Sequence, residues 1–309
     1  MAQDTKPKKR LNRTTKQKMI FVYASLIPIV GLYLLMRIIP IGQNFFYSFF
    51  QSSVVKPANR FIGLGNYKEL FADTLFRNAI YNTSYFALFV TLFGVLISLG
   101  LALLLTKKTK MSPLYEAIYF LPVITPMVPV SVVWKWIYDP TYGLLNYFIS
   151  IFGLRPVAWL VYPQTAMIAI IVMSVWKLLG YNMIIFLVGL RDIPATYIEA
   201  ARIDGANARQ VLWRITLPLL RPILLLVIVI TTINSFNVFT QVYIMTSGPQ
   251  GAPGGSVRTL VFDIYENAFR YFRTGYAASE AVVLFIIILA LTLIQFSISG
   301  ITKGKGESA

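Results

Sequence analysis

Polar residues interrupt an otherwise apolar chain at fairly regular intervals. Runs of about 18 or more mostly apolar residues, enough to cross the hydrocarbon layer of a bilayer as helix, recur six times. They cover residues 19–41, 78–106, 114–138, 164–190, 220–246 and 280–301. The pattern predicts an all-α integral membrane protein with six spans. The first run holds Arg37 near its outer end, where a long side chain reaches the headgroups. The third carries Pro122, Pro126 and Pro129 and is predicted to be kinked or broken.

Between the fourth and fifth runs, Arg191 to Pro222 is a hydrophilic island patterned like helix. Thr196 with Glu199 three residues on has the form of a reciprocal capping box. Gly205 suits a left-handed residue closing that helix. Asn207 with Gln210 repeats the box, and Pro218 stops the second helix or opens the next. The expectation is a rigid knob of two short helices in an L, set against the alternative of an ordinary interhelical loop.

Composition agrees with a membrane chain: 57% of the 309 residues are hydrophobic and 13% charged. The net charge of +16 is unevenly placed. Lys and Arg number 17 in residues 1–18, 107–110, 191–221 and the tail, against 8 in 42–77, 139–162 and 247–279. By the positive-inside rule both termini and the 191–221 knob are expected in the cytoplasm. The chain then divides into a basic arm (1–18) lying near anionic lipid, a six-span domain (19–301) and a short tail (302–309). The arm lacks the aromatic interleaving of a nucleic-acid surface, so no nucleic acid is expected. The first apolar run is about twice the length of a signal-peptide core and is read as a retained span.

Cysteine and histidine are both absent. Their absence removes the usual zinc and haem ligands and the commonest nucleophiles and acid–base groups, so neither a metal site nor an enzyme active site is expected. No phosphate-binding loop of the Gly-x-x-x-x-Gly-Lys-Ser/Thr form occurs either. If the chain works with ATP, the nucleotide must bind a different polypeptide.

Glu199-Ala200-Ala201, three residues, Gly205, nine residues, Ile215, one residue, Leu217-Pro218 resembles the "EAA" loop of binding-protein-dependent ABC importer permeases. Asp204-Gly205-Ala206 resembles the form in the carbohydrate-uptake branch. The turn Gly63-x-x-Asn66-Tyr67 and Asn82-Thr83 also resemble sugar permeases, while Thr246-x-Gly248-Pro249 departs slightly from a family turn. The resemblance implies a type I importer fold in a bacterial plasma membrane, with the loop as a coupling-helix pair docked on a cytoplasmic ATPase. It further implies a second homologous permease, two ATP-binding subunits that carry ATP and magnesium, an external solute-binding protein and a carbohydrate cargo. The outer loops would receive the binding protein. Their aromatics, Phe45 to Phe50, Tyr142 and Trp159, are read as interfacial anchors, and 260–273 as a helical stretch.

Polar side chains inside a span are costly and call for a reason. At about 100° per residue, Thr231, Asn234, Ser235 and Val238 share one face of the fifth run, with Asn237 and Gln241 along its edge. Their amides suit sugar hydroxyls. In the fourth run Lys177 and Tyr181 lie one turn apart, beside Trp176 and Asn182. The alternative is that these groups bond helix to helix. Aligned from the Glu199 motif, Tyr181, Thr231, Asn234, Ser235 and Val238 resemble positions lining the sugar site of maltose-type permeases, with an apolar residue at Val238 in place of an amide. Lys177 either contacts an acidic sugar or phosphate or pairs with a carbonyl. Other readings are a polyol, glycerophosphodiester or amino acid as cargo, a stand-alone secondary transporter, and a membrane scaffold.

Overall fold

The computed structural model describes residues 13–53, 59–107, 109–246 and 255–299. The arm before Arg13, the turn Ser247-Gly248-Pro249 with Gly254, and the tail 302–309 lie outside them. In chain order the helices are α1 (Gln17–Tyr47), α2 (Gly65–Ala72), α3 (Thr74–Leu105), α4 (Ser112–Ile124), α5 (Met127–Ile137), α6 (Leu144–Ile151), α7 (Pro163–Arg191), α8 (Ala195–Ile203), α9 (Ala208–Phe236), α10 (Thr240–Thr246), α11 (Leu260–Tyr265) and α12 (Thr274–Ser299). Among the described residues the only sheet is an antiparallel pair, β1 (Phe50–Gln51) and β2 (Arg60–Phe61), with Phe50 opposite Phe61. Five helices, α1, α3, α7, α9 and α12, are long and apolar enough to cross a membrane. α4 and α5, bent by 99° to one another, are long and apolar enough only when taken together, and make a sixth crossing if the pair is one broken span.

Local chemistry accounts for the boundaries. The Asp73 carboxylate accepts from the Leu75 N–H at 2.8 Å and caps α3. At the break in the third span Pro126 has no N–H and holds Thr125 extended, with ψ 136°. Pro122 and Pro129 are carried within the helices on either side. Two other prolines, Pro40 and Pro218, do not break their helices. Each follows by two residues a wide five-residue turn, Leu34–Ile38 and Leu212–Thr216, with the looser π pattern. In each, the residue before the proline bonds five residues back, Ile39 N–H to the Leu34 carbonyl and Leu217 N–H to the Leu212 carbonyl.

That device corrects two boundaries read from the sequence. α1 runs to Tyr47 instead of ending near 41, so part of the Phe45–Phe50 aromatic cluster is helix. α9 begins at Ala208, not 220, and passes straight through Pro218. The knob is therefore one short helix, α8, and the first turns of a span, not two separate short helices. At its far end the fifth span stops at Phe236. Residues 237–239 break it, and α10 is a separate short helix. The outer aromatics also divide: Tyr142 is exposed, whereas the Trp159 indole N–H donates to Asn146 Oδ1 at 3.1 Å.

α7 is the central helix, with Ile170, Met173, Met183 and Phe186 fully buried. One side lies along α3, whose Phe86, Val90, Val95 and Ala102 join the same core clusters. The other side receives α4 at Gly180, where an added Cβ would stand 2.0 Å from the Tyr119 carbonyl oxygen. α1 is the opposite case, exposed along nearly its whole length. It meets the bundle only near its end, where Phe45 rests edge-on against Phe285 at 5.8 Å and Asn44 donates to the Ala278 carbonyl.

The α4–α7 approach has a direct test. Gly180→Val should push the helices apart and lower unfolding stability by about 1–3 kcal/mol or more. Gly100→Ala, where a Cβ meets nothing within 4 Å, should stabilise α3 by about 1 kcal/mol. Thermal unfolding of the two purified variants in detergent compares them.

Candidate functional site

The motif residues come together at the α7–α9 connection. α7 ends at Arg191, whose guanidinium donates to Glu116 Oε1 at 2.7 Å and ties the start of α4 to the entrance of the loop. α8 then starts behind Pro194, which stands extended at its N-cap with no side-chain cap. The Thr196–Glu199 box expected from the sequence does not form. Proline's fixed φ sets the N-cap two residues early, at Pro194, so Thr196 lies inside the helix. Glu199 is left exposed, as is Ala200.

α8 closes as its sequence implies. Gly205 has φ +82°, its N–H donates to the Arg202 carbonyl, and the Ala206 N–H donates to the Ala201 carbonyl at 2.9 Å. These are the paired bonds of a Schellman ending. A Cβ at Gly205 would meet no atom within 4 Å. The position is restricted by backbone conformation, not by space. The second box forms: Asn207 Oδ1 accepts from the Gln210 N–H at 2.9 Å, and Gln210 Oε1 from the Asn207 N–H at 2.8 Å. Ala201, Asp204, Gly205 and Ile215 then line a notch of about 290 Å³ between α8 and the start of α9. Leu217 and Pro218, half-buried, follow on α9.

The polar set on α7 and α9 divides in two. Thr231 is buried, and its hydroxyl accepts from Asn182 Nδ2 at 3.1 Å. Gln241 is buried on α10 with its amide on Ser174 Oγ at 3.4 Å. Ser235 is buried, and Val238 packs in the main core with Met173 and Val242. Thr231, Gln241 and Val238 thus join helix to helix, while the buried Ser235 hydroxyl has no hydrogen-bond partner among the described residues. Asn234 and Asn237 are exposed, and Tyr181 is 40% exposed. Asn237 donates to the Ile233 carbonyl at 2.8 Å as α9 ends. Tyr181 adjoins Asn182, and Asn234 is one turn beyond Thr231. The Asn182–Thr231 bond therefore keeps the two exposed polar side chains at similar levels on touching helices.

Lys177 answers the break in the third span. Its ammonium donates to the carbonyls of Pro122 at 2.5 Å and Thr125 at 2.6 Å, with Val123 at 3.4 Å. Those carbonyls end α4, where no following N–H reaches them. A cation there also meets the negative end of the helix dipole. The ammonium's three donors are matched by three carbonyls.

Asn82 and Thr83, noted in the sequence only for their resemblance to sugar permeases, join the 255–273 segment to α3. Asn82 donates to the Arg258 carbonyl at 3.0 Å, and Thr83 accepts from the Leu260 N–H at 2.8 Å. Asn66 likewise holds the turn after α1, donating to the Ser48 and Phe50 carbonyls. The sequence signal was present in the Asn66-Tyr67 and Asn82-Thr83 pairs, but their partners lie far along the chain.

Comparison with known proteins adds three findings. Residues 62–301 match the family model described as the binding-protein-dependent transport system inner membrane component. The chain is 38% identical over 283 residues to the probable ABC transporter permease protein YurN of Bacillus subtilis, covering 90% of this chain and 96% of that one. It is 30% identical to the trehalose/maltose transport system permease protein MalF of Thermococcus litoralis, covering 89% and 92%. Its fold is that of a chain in the crystal structure of a bacterial ABC transporter involved in the import of the acidic polysaccharide alginate. There the TM-score is 0.80, with 24% identity and 93% and 98% coverage.

Lys177→Met should remove the ammonium from the α4 carbonyls, leaving Pro122 only the Thr125 hydroxyl at 2.6 Å, and cost about 1–3 kcal/mol. Backbone exchange should quicken at residues 122–127 ahead of the rest of the chain. Lys177→Arg should restore most of the protection, measured by hydrogen–deuterium exchange in detergent.

Proposed function

From its membership of the binding-protein-dependent transport system inner membrane components, to which this multi-pass chain belongs, we propose that the chain is the pore-forming permease of a carbohydrate importer. ATP is hydrolysed on separate subunits, and the 197–217 region receives their movement. The observation that carries this reading is the α8–α9 connection. Its Schellman ending and capping box leave little play between α8 and α9, and α9 continues without a break into the membrane. A push on the notch at Ala201, Asp204, Gly205 and Ile215 is thus a push on a span.

In this reading both termini and the loop face the cytoplasm, and Glu199, Ala200, Leu217 and Pro218 complete the surface offered to the motor. A second permease subunit, two ATP-binding subunits and an external binding protein complete the assembly. The chain itself contributes no cofactor. Ligand contact is assigned to Tyr181, Asn234 and Asn237, the exposed members of the polar set. Thr231, Ser235, Val238 and Gln241 shape the wall behind them.

Relatives named for trehalose and maltose and for diacetylchitobiose uptake support a saccharide cargo. Others named for sn-glycerol-3-phosphate transport keep a phosphorylated polyol as the alternative. Engagement of Lys177 by three carbonyls favours the neutral saccharide, since the lysine has no donor left for an acidic group.

The assembled importer in liposomes tests both halves of the proposal. Gly205→Val, which forces a β-branched residue to positive φ, should abolish ligand-stimulated ATP hydrolysis while the chain still inserts. Normal uptake in that variant would remove the coupling assignment. Asn234→Ala and Tyr181→Ala should change uptake affinity or saccharide range with assembly intact. Unaltered affinity and range in both would place the ligand path elsewhere.

A further inference from the structure

At the end of the bundle opposite Arg191, α11 lies against the heads of α3 and α12. Two carboxyl groups, Asp263 on α11 and Glu280 on α12, are enclosed in that seam at 1% and 0% exposure. Asp263 Oδ1 accepts from Arg258 Nε at 2.6 Å, pairs with the same guanidinium's second nitrogen, and lies 3.3 Å from Asn267 Nδ2. The same amide nitrogen donates to Glu280 Oε1 at 3.0 Å and so straddles the two acids. Their other oxygens, Asp263 Oδ2 and Glu280 Oε2, are buried and accept from no donor in this network. One amide nitrogen within 3.3 Å of a carboxyl oxygen of each acid brings the two carboxyls side by side.

The surrounding charges do not balance two carboxylates. Among the described residues Arg258 is the one cation paired with either acid. Arg270 is turned to Glu266, and Arg273 to Glu69 and the face of Tyr276. Asp73, which accepts from the Tyr276 hydroxyl at 2.9 Å, adds negative charge nearby. Burial pushes the Asp263 carboxyl up, while Arg258 beside it pulls it down. Two buried carboxylates against one guanidinium would leave an uncompensated charge and two buried oxygens without a donor. One proton removes both faults, as in paired carboxyls that cannot ionise together.

We propose that Asp263 and Glu280 form a proton-binding site, one proton held between Oδ2 and Oε2, which latches the outer segment 255–273 onto α12 and, through Thr83 and Asn82, onto α3. The proton belongs to the pair and not to either residue. In the unfolded chain both acids titrate as ordinary carboxyls near pH 4. The folded chain therefore holds more protons through the neutral range, and its stability falls as pH rises until the shared proton is lost. Beyond that point two like charges push α11 away from α12. The inference concerns the fold's outer seam and is independent of the cargo.

Infrared spectra and thermal unfolding of the purified full-length chain test it. The C=O stretch of a protonated carboxyl should be present at neutral pH, weaken at alkaline pH and be missing in Glu280→Gln. The glutamine amide can donate to Asp263 Oδ2 as the proton does. The variant should therefore unfold near the wild-type temperature at neutral pH and lose most of the decline seen as pH is raised. Asp263→Asn, which strips Arg258 of its carboxylate, should melt lower. Absence of the protonated-carboxyl band in the wild type overturns the proposal, and that measurement stands even if a variant fails to fold. A wild-type melting temperature raised by added sodium or calcium, with that rise lost in Glu280→Gln, also overturns it by making the pair an ionised metal-ion site.

Discussion

A bilayer offers no water to a backbone carbonyl, so every interruption of a spanning helix needs a donor from somewhere else in the protein. That requirement organises this molecule more than any single apolar contact. At the one sharp break inside a span, the freed carbonyls of Pro122 and Thr125 are met by Lys177 from the neighbouring helix. Where α9 ends at Phe236, Asn237 turns its own amide back to the Ile233 carbonyl. At Pro40 and Pro218 the chain passes through a widened turn just before the proline and the helix goes on. The same kind of proline therefore gives a corner in one place and continuity in two others.

The spans were legible because lipid-facing helices must be apolar over their full length, and runs of that kind are visible without any tertiary knowledge. The broken third span was legible from its prolines. Gly205 was legible because a Schellman ending demands positive φ, and the Asn207–Gln210 box because it is local chemistry between residues three apart. Thr196 misled because Pro194, two residues earlier, sets the helix start. α9 was read about a dozen residues short because Pro218 was taken as a boundary, and nothing in the neighbouring residues announces a π turn.

The polar face of the fifth span was legible as a pattern and ambiguous as chemistry. A helical wheel places Thr231, Asn234, Ser235 and Val238 side by side. It does not say where along that arc the neighbouring helix lies. α7 covers part of it, so Thr231 bonds Asn182, Ser235 and Val238 are enclosed, and Asn234 stays open. Lys177 had two readings for the same reason: an ammonium is equally suited to an anionic ligand and to a helix end. Glu280 was hidden at the edge of an apolar run, since its partners Asp263 and Asn267 come from a different element.

The passage of α9 through Pro218 has a mechanical consequence. A helix of 29 residues is roughly 44 Å from end to end at 1.5 Å per residue, with one tip in the notch beside Gly205 and the other at Phe236. Such a rod works as a lever. Pivoting it by about 5° about its lower tip carries the upper one through roughly 4 Å, more than a methyl group's width, by rise-per-residue geometry alone. A joint at residue 218 would have let that displacement dissipate at the bilayer surface.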